Sequence, residues 1–169
     1  VWENKEGAAF RSSGDLSSGP RAMPQVVGER VVTADSAGRL SSLDKKTGKV
    51  LWDREAYKGV PKTKRHTKSS QASATPVTNG KIVVAHFGSE GLYAYDMDGK
   101  LLWKRDLGVL NAGWFYDPDY EWGVASSPIL WNDLVIVQCD IQKDSFVAAY
   151  GARDGAPARR TGRDENPSW

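Results

Sequence analysis

Two phrases recur along this chain, and both recur at one period. Ala22-Met23-Pro24-Gln25-Val26-Val27-Gly28 leads into Val31-Val32, Ala74-Thr75-Pro76-Val77-Thr78-Asn79-Gly80 into Ile82-Val83-Val84, and Ser126-Ser127-Pro128-Ile129-Leu130 into Leu134-Val135-Ile136-Val137. The three prolines lie 52 residues apart, twice. Between them, Leu43-Asp44-Lys45-Lys46-Thr47-Gly48-Lys49-Val50-Leu51-Trp52 returns as Tyr95-Asp96-Met97-Asp98-Gly99-Lys100-Leu101-Leu102-Trp103. Two phrases locked to one period restrict the chain to a repeat architecture. Each unit must then bury its apolar surface on its neighbour.

The second unit shows what one repeat contains. Ala74 to Thr78 is short and extended, Asn79-Gly80 is a favoured two-residue turn, and Lys81 to Phe87 is a β-branched apolar run. Gly88 to Gly91 turns the chain, Leu92 to Asp96 is a third strand, Met97-Asp98-Gly99 a third turn, and Lys100 to Arg105 a fourth strand. Four antiparallel strands in about 50 residues make one blade, so the expected fold is all-β: a β-propeller segment of about three four-stranded antiparallel blades. The blades fall at 22–54, 74–105 and 126–160, with 1–21 the tail of a preceding blade and 161–169 the start of a link. In the third, Gly151 and Arg159 stand where Asp96 and Trp103 stand in the second.

The phrase around Asp44, Thr47, Gly48 and Trp52, repeated at Asp96, Gly99 and Trp103, closely resembles the tryptophan-docking motif of the PQQ-like repeat family. That family includes quinoprotein alcohol dehydrogenases, the propeller lipoprotein that assists outer-membrane protein assembly, and many large secreted bacterial proteins. The resemblance covers residues 22 to 150. It implies that the Asp and the Thr-Gly form the outer turn and that the Trp packs on an adjacent blade. It also implies a periplasmic or extracellular protein. PQQ and calcium are expected only in a complete ring, with none within this segment.

The totals exclude several other classes. With 23 basic and 21 acidic residues, the net charge of +2 gives no footprint for nucleic acid, and no apolar run nears the roughly 20 residues of a membrane span. Cys139, the only cysteine, excludes an internal disulfide and, with its apolar neighbours, is expected to be buried and inert. The vicinal cysteine pair common in the family's enzymes is absent, and no residues suggest a calcium set or a general base. The segment is read as a binding or scaffold piece, with part of a quinoprotein-type oxidoreductase as the alternative.

Function is expected on two long connections, Asp53 to Ser73 and Lys104 to Ala125, which topology sends to one face. The first carries Lys64, Arg65 and His66; the second carries Trp114, Tyr116, Asp117, Tyr120 and Trp122. The basic run is either a solvated loop or a nucleic-acid patch, of which a few lysines beside a near-neutral total are a weak footprint. The aromatic run is either a cap on the blade core or a platform for a protein or a carbohydrate. A third expectation is that the loops pair, Lys64 or Arg65 with Asp117 or Asp119. Both ends read as mid-repeat, so the expected partners are further blades of the same propeller or a second copy. The apolar residues expected to lie uncovered are Val26, Val31, Val32, Ile129, Val135 and Val137.

Overall fold

The computed structural model describes residues 22–58, 60–63, 72–114 and 117–167. Blade 1 consists of β1 (Gln25–Val27), β2 (Arg30–Ala34), β3 (Arg39–Asp44) and β4 (Val50–Glu55). Blade 2 consists of β5 (Val77–Thr78), β6 (Ile82–His86), β7 (Leu92–Asp96) and β8 (Leu101–Arg105). A small hairpin, β9 (Gly113–Trp114) and β10 (Asp117–Glu121), precedes blade 3: β11 (Ile129–Trp131), β12 (Leu134–Cys139), β13 (Phe146–Gly151) and β14 (Pro157–Gly162). Within every blade the strands lie in chain order and pair antiparallel. Among the described residues the only helical element is a 3-10 turn at Gly88–Glu90. The inner strand β5 lies beside both β1 and β11, so the three sheets stand side by side as an arc of a propeller.

Alternation along the strands divides the core into two seams. Val83, Ala85, Tyr93 and Tyr95 pack with Val32, Ala34, Leu40 and Trp52 between blades 1 and 2. Val84, Leu92, Ala94 and Trp103 pack with Val135, Val137, Phe146 and Tyr150 between blades 2 and 3. The central blade is therefore apolar on both faces, which is why β6 reads as an unbroken apolar run. The same alternation corrects the list of residues expected to be uncovered. Val26 and Ile129 are 64% and 55% exposed, and Val31 is half-buried. Val32, Val135 and Val137 are at most 1% exposed, because each is one residue out of phase with the outward face and points into a seam. Asn79-Gly80 also differs from expectation: three residues separate β5 from β6, and the Asn79 carboxamide accepts from the Lys81 and Ile82 amides at 3.0 and 3.1 Å.

Both seams are built from the same parts. Trp52 Nε1 donates to the Met97 carbonyl at 2.8 Å, and Trp103 Nε1 to the Ala152 carbonyl at 2.9 Å. The residue two beyond each Trp is Arg: Arg54 Nε donates to the Gly99 carbonyl at 2.7 Å and Arg105 Nε to the Gly155 carbonyl at 2.5 Å. Arg30 adds a further bond to the Met97 carbonyl. Each indole lies flat on the turn glycine, and a Cβ at Gly99 or Gly155 would fall 2.7 Å from the ring. These glycines hold φ of +79° and +66° as well, so the turn needs glycine twice over.

The turns themselves are held by carboxylates. Asp44 Oδ1 accepts from the Lys46 and Thr47 amides and the Thr47 hydroxyl at 3.0, 2.7 and 2.8 Å, and these Thr47 bonds are the main reason its carboxyl sits below its usual range. Asp96 does the same for the Asp98 and Lys100 amides. Blade 3 has Gly151 at this place, and Asp154, three residues on, accepts from the Ala156 amide at 2.9 Å instead.

Nearest the axis the blades are tied by a second repeating bond. The Met23 amide donates to Thr75 Oγ1 at 3.0 Å, and the Thr75 amide donates to Ser127 Oγ at 2.9 Å. Both bonds span 52 residues, one full repeat.

The outer seam yields a stability test. Trp103→Ala should cost about 3–5 kcal/mol, as other large-to-small core changes do, and Gly155→Ala about 1–3 kcal/mol through overpacking. In urea titrations the double variant should lose less than the sum, since removing the indole removes the clash.

Candidate binding face

The long connection after blade 2 is folded rather than loose. Leu107, Leu110, Ala112 and Val124 are buried in the seam between blades 2 and 3, which pins both arms of the β9–β10 hairpin. Ser89 Oγ accepts from the Leu110 amide at 2.8 Å, and the Gln142 amide of blade 3 donates to the Asn111 carbonyl at 2.8 Å. Gln142 Nε2 reaches the Gly113 carbonyl at 3.2 Å. The hairpin is thereby bonded to the blades on both sides.

Glu121 locks its base. This carboxylate is 8% exposed, and Oε1 accepts from the Ala112 amide at 2.7 Å and the Gly123 amide at 3.0 Å. Paired amide donors are what a buried carboxylate requires. A Cβ at Gly113 would sit 2.9 Å from Glu121 Oε2 and 3.0 Å from backbone, so only glycine lets the two strands approach this closely.

The first connection meets the second through Lys62. Its amide donates to Glu90 Oε1 at 2.7 Å and its ammonium pairs with Asp106 at 2.8 Å. Through this bond the Asp106 carboxyl is held below its usual range and the Lys62 ammonium above its own. Lys62, Glu90, Tyr93, Lys104, Arg105 and Asp106 line an open cavity of about 470 Å³. It presents both signs of charge beside one phenol.

Of the residues singled out in the sequence, Tyr120 is 41% exposed and Asp117 and Trp122 are half-buried. Trp114 belongs to β9. Lys64, Arg65, His66 and Tyr116 lie outside the described residues, and with them the expected pairing of Lys64 or Arg65 to Asp117 or Asp119. The ion pair that does join the two connections uses Lys62 and Asp106. Sequence reading placed Glu121 in the acidic and aromatic run without its role, and missed Ser89 and Gln142; all three act through distant backbone groups. The Arg two residues after each Trp was visible in the sequence as a repeat of the spacing.

Two buried titratable groups lie beneath this face. Cys139 is fully buried, and burial pushes its thiol up to about 12, so it is inert as a nucleophile. His86 is 1% exposed at the start of the seam with blade 3. Its Nδ1–H donates to the Ser126 carbonyl at 3.2 Å, and Nε2 has no hydrogen-bond partner. Burial lowers its pKa from 6.5, outweighing the smaller raising effects of the Ser126 and Gly88 backbone groups, because a charge would be stranded in the seam. Among the described residues no group of three or more His, Cys, Asp or Glu side chains is placed to hold a metal ion, and no helix is long and apolar enough to cross a membrane.

Two outcomes are expected. Glu121→Ala should leave the Ala112 and Gly123 amides without acceptors, at about 1–3 kcal/mol for each group that stays buried, and should speed hydrogen exchange in the hairpin. The neutral form of His86 is favoured by folding, so its contribution is complete above pH 6.5 and is lost as pH falls from there toward the lower folded value. Urea midpoints should drop over that window, and His86→Gln should flatten the drop.

A family model described as outer membrane protein assembly factor BamB matches residues 1–112. The chain is similar in structure to BamB from Moraxella catarrhalis, at 19% identity and a TM-score of 0.60, covering 87% of this chain and 39% of that one. It is similar to a quinohemoprotein alcohol dehydrogenase from Pseudomonas putida at 21% identity and a TM-score of 0.64, covering 88% of this chain and 21% of that one. It is also similar to the computationally designed Ika4 protein, at 14% identity and a TM-score of 0.58, covering 99% and 79%. The chain therefore spans about two fifths of the first structure and about one fifth of the second. A search of curated proteins finds no match.

Proposed function

Because the chain belongs to the PQQ-like β-propeller repeat family, through the model described as outer membrane protein assembly factor BamB, we propose that it is a non-catalytic binding segment of an extracytoplasmic propeller. Trp52 and Trp103 act as the family's docking residues, holding the blades so that the inter-blade connections stand on one face. The β9–β10 hairpin is the contact element, and its partner is a protein of the bacterial outer membrane or its precursor. The observation that carries this reading is the anchoring of the hairpin. A platform bonded to both neighbouring blades and locked by Glu121 binds without first ordering itself. Tyr120, exposed on that platform, supplies the kind of rigid aromatic anchor that interfaces favour.

The likeness to a quinohemoprotein alcohol dehydrogenase favours a second reading, a piece of a quinoprotein. Among the described residues no group of three or more His, Cys, Asp or Glu side chains is placed to hold a metal ion, so nothing on this face favours it further.

One experiment separates the two. A photo-crosslinking residue replaces Tyr120, and the chain is mixed with a urea-unfolded outer-membrane β-barrel protein diluted into buffer. Binding expects a saturable cross-link, competed by the unlabelled chain and weakened about tenfold or more, on the order of 1.4 kcal/mol, by Glu121→Ala. No cross-link, together with saturable absorbance on titration with PQQ and calcium, would transfer the segment to the enzyme reading.

A further inference from the structure

Blades 1 and 2 each place a Trp, and the Arg two residues beyond it, on the outer turn of the next blade. Blade 3 lacks both. Register sets Arg159 opposite Ala149, the place that Trp52 holds opposite Ser42 and Trp103 opposite Ala94. Thr161 stands where Arg54 and Arg105 stand, and both Arg159 and Thr161 are exposed. The same face is nonetheless apolar toward the axis. Ile129 and Trp131 are 55% and 61% exposed there, beside half-buried Leu134 and Ile136. A terminal cap in a repeat array is polar across its outer face; this surface is apolar inside and cationic only at the rim.

We propose that the outward face of blade 3 is a seam for a further blade of the same repeat type whose outer turn carries a carboxylate. An indole asks a turn for a carbonyl acceptor and a flat glycine. A guanidinium can take a carbonyl, as Arg54 and Arg105 do, but its parallel N–H donors are best matched by a carboxylate, and Arg30 already pairs with Asp98 across a seam. Toward the axis the incoming inner strand supplies a hydroxyl to Ser127, as Thr75 and Ser127 do for Met23 and Thr75. The turn of blade 2 fits this description, since it carries Asp98 with its side chain 86% exposed. The turn of blade 1 does not, because the exposed Lys45 and Lys46 stand between its Asp44 and Gly48-Lys49, where blade 2 has Met97 and Asp98 between Asp96 and Gly99-Lys100, and they would meet Arg159 with like charge. The exchange of Trp for Arg thus leaves charge to decide among turns at this seam, whereas the seam between blades 1 and 2 adds its Arg30–Asp98 ion pair to an indole and a guanidinium held on backbone carbonyls.

The test extends the full chain after Trp169 with a copy of its own residues 63–106. The copied Pro76 then follows Arg159 by 24 residues, the same spacing by which Pro76 follows Trp52. Two versions are compared, one keeping Asp98 in the copied turn and one with Asp98→Lys there. The acidic version should melt about 1–4 °C higher at low salt, the range an exposed ion pair gives in a domain of this size. The gap should close at about 1 M salt and vanish with Arg159→Ala. The double change Arg159→Trp with Thr161→Arg should accept both turns alike. Hydrogen exchange across residues 129–136 should slow in the acidic version whatever the melting shows. Equal melting and exchange in the two versions, a gap that persists with Arg159→Ala, or an added blade left protease-sensitive in both would overturn the proposal.

Discussion

The indole laid on a turn glycine, with its N–H on the neighbouring carbonyl, is the contact on which this structure depends. A four-stranded sheet with two apolar faces has no stable existence alone, and its outermost strand is the part least able to find cover. Trp52 and Trp103 supply that cover at the rim, where both rings are buried. Arg54 and Arg105 extend the contact by one more carbonyl each. The glycine beneath each ring fixes the distance between blades, because no Cβ fits there. Everything on the loop-bearing face inherits its position from that spacing.

How much of this was legible beforehand depended on whether the determining contact was local. The blades were legible because turn residues and period-two patterning act within a few residues: Asp44 caps Thr47 and Asp96 caps Lys100 from adjacent positions. The burial of Cys139 followed from its apolar neighbours in β12. The face to which a given apolar residue points was less legible, since β2 and β12 carry apolar residues at successive positions, Val31-Val32 and Leu134 to Val137, and the phase is lost. Val32, Val135 and Val137 were misassigned for that reason, while Val26 and Ile129 lie on β1 and β11 with one face open.

The hairpin between blades 2 and 3 shows the limit more clearly. Its aromatic and acidic residues were noticed as a cluster, but β9 and β10 are too short and too irregularly paired to leave a strand pattern. What orders them is Glu121 reaching back across the hairpin to Ala112, and Gln142 and Ser89 reaching in from separate blades. No spacing rule reports such bonds. The same holds for Asp154, which replaces the missing carboxylate of the blade 3 turn from three residues further along.

The hydroxyl bonds along the axis have an evolutionary consequence. Each joins two residues at the same phase of consecutive repeats and ignores the connection between them. The alignment of the inner strands is therefore held by bonds that do not pass through the exposed tip of a connection. The axis keeps its register independently of the residues at the tip of each connection, and new surface can be added at the β9–β10 tip while Leu107, Leu110, Ala112 and Val124 at its base stay in the seam.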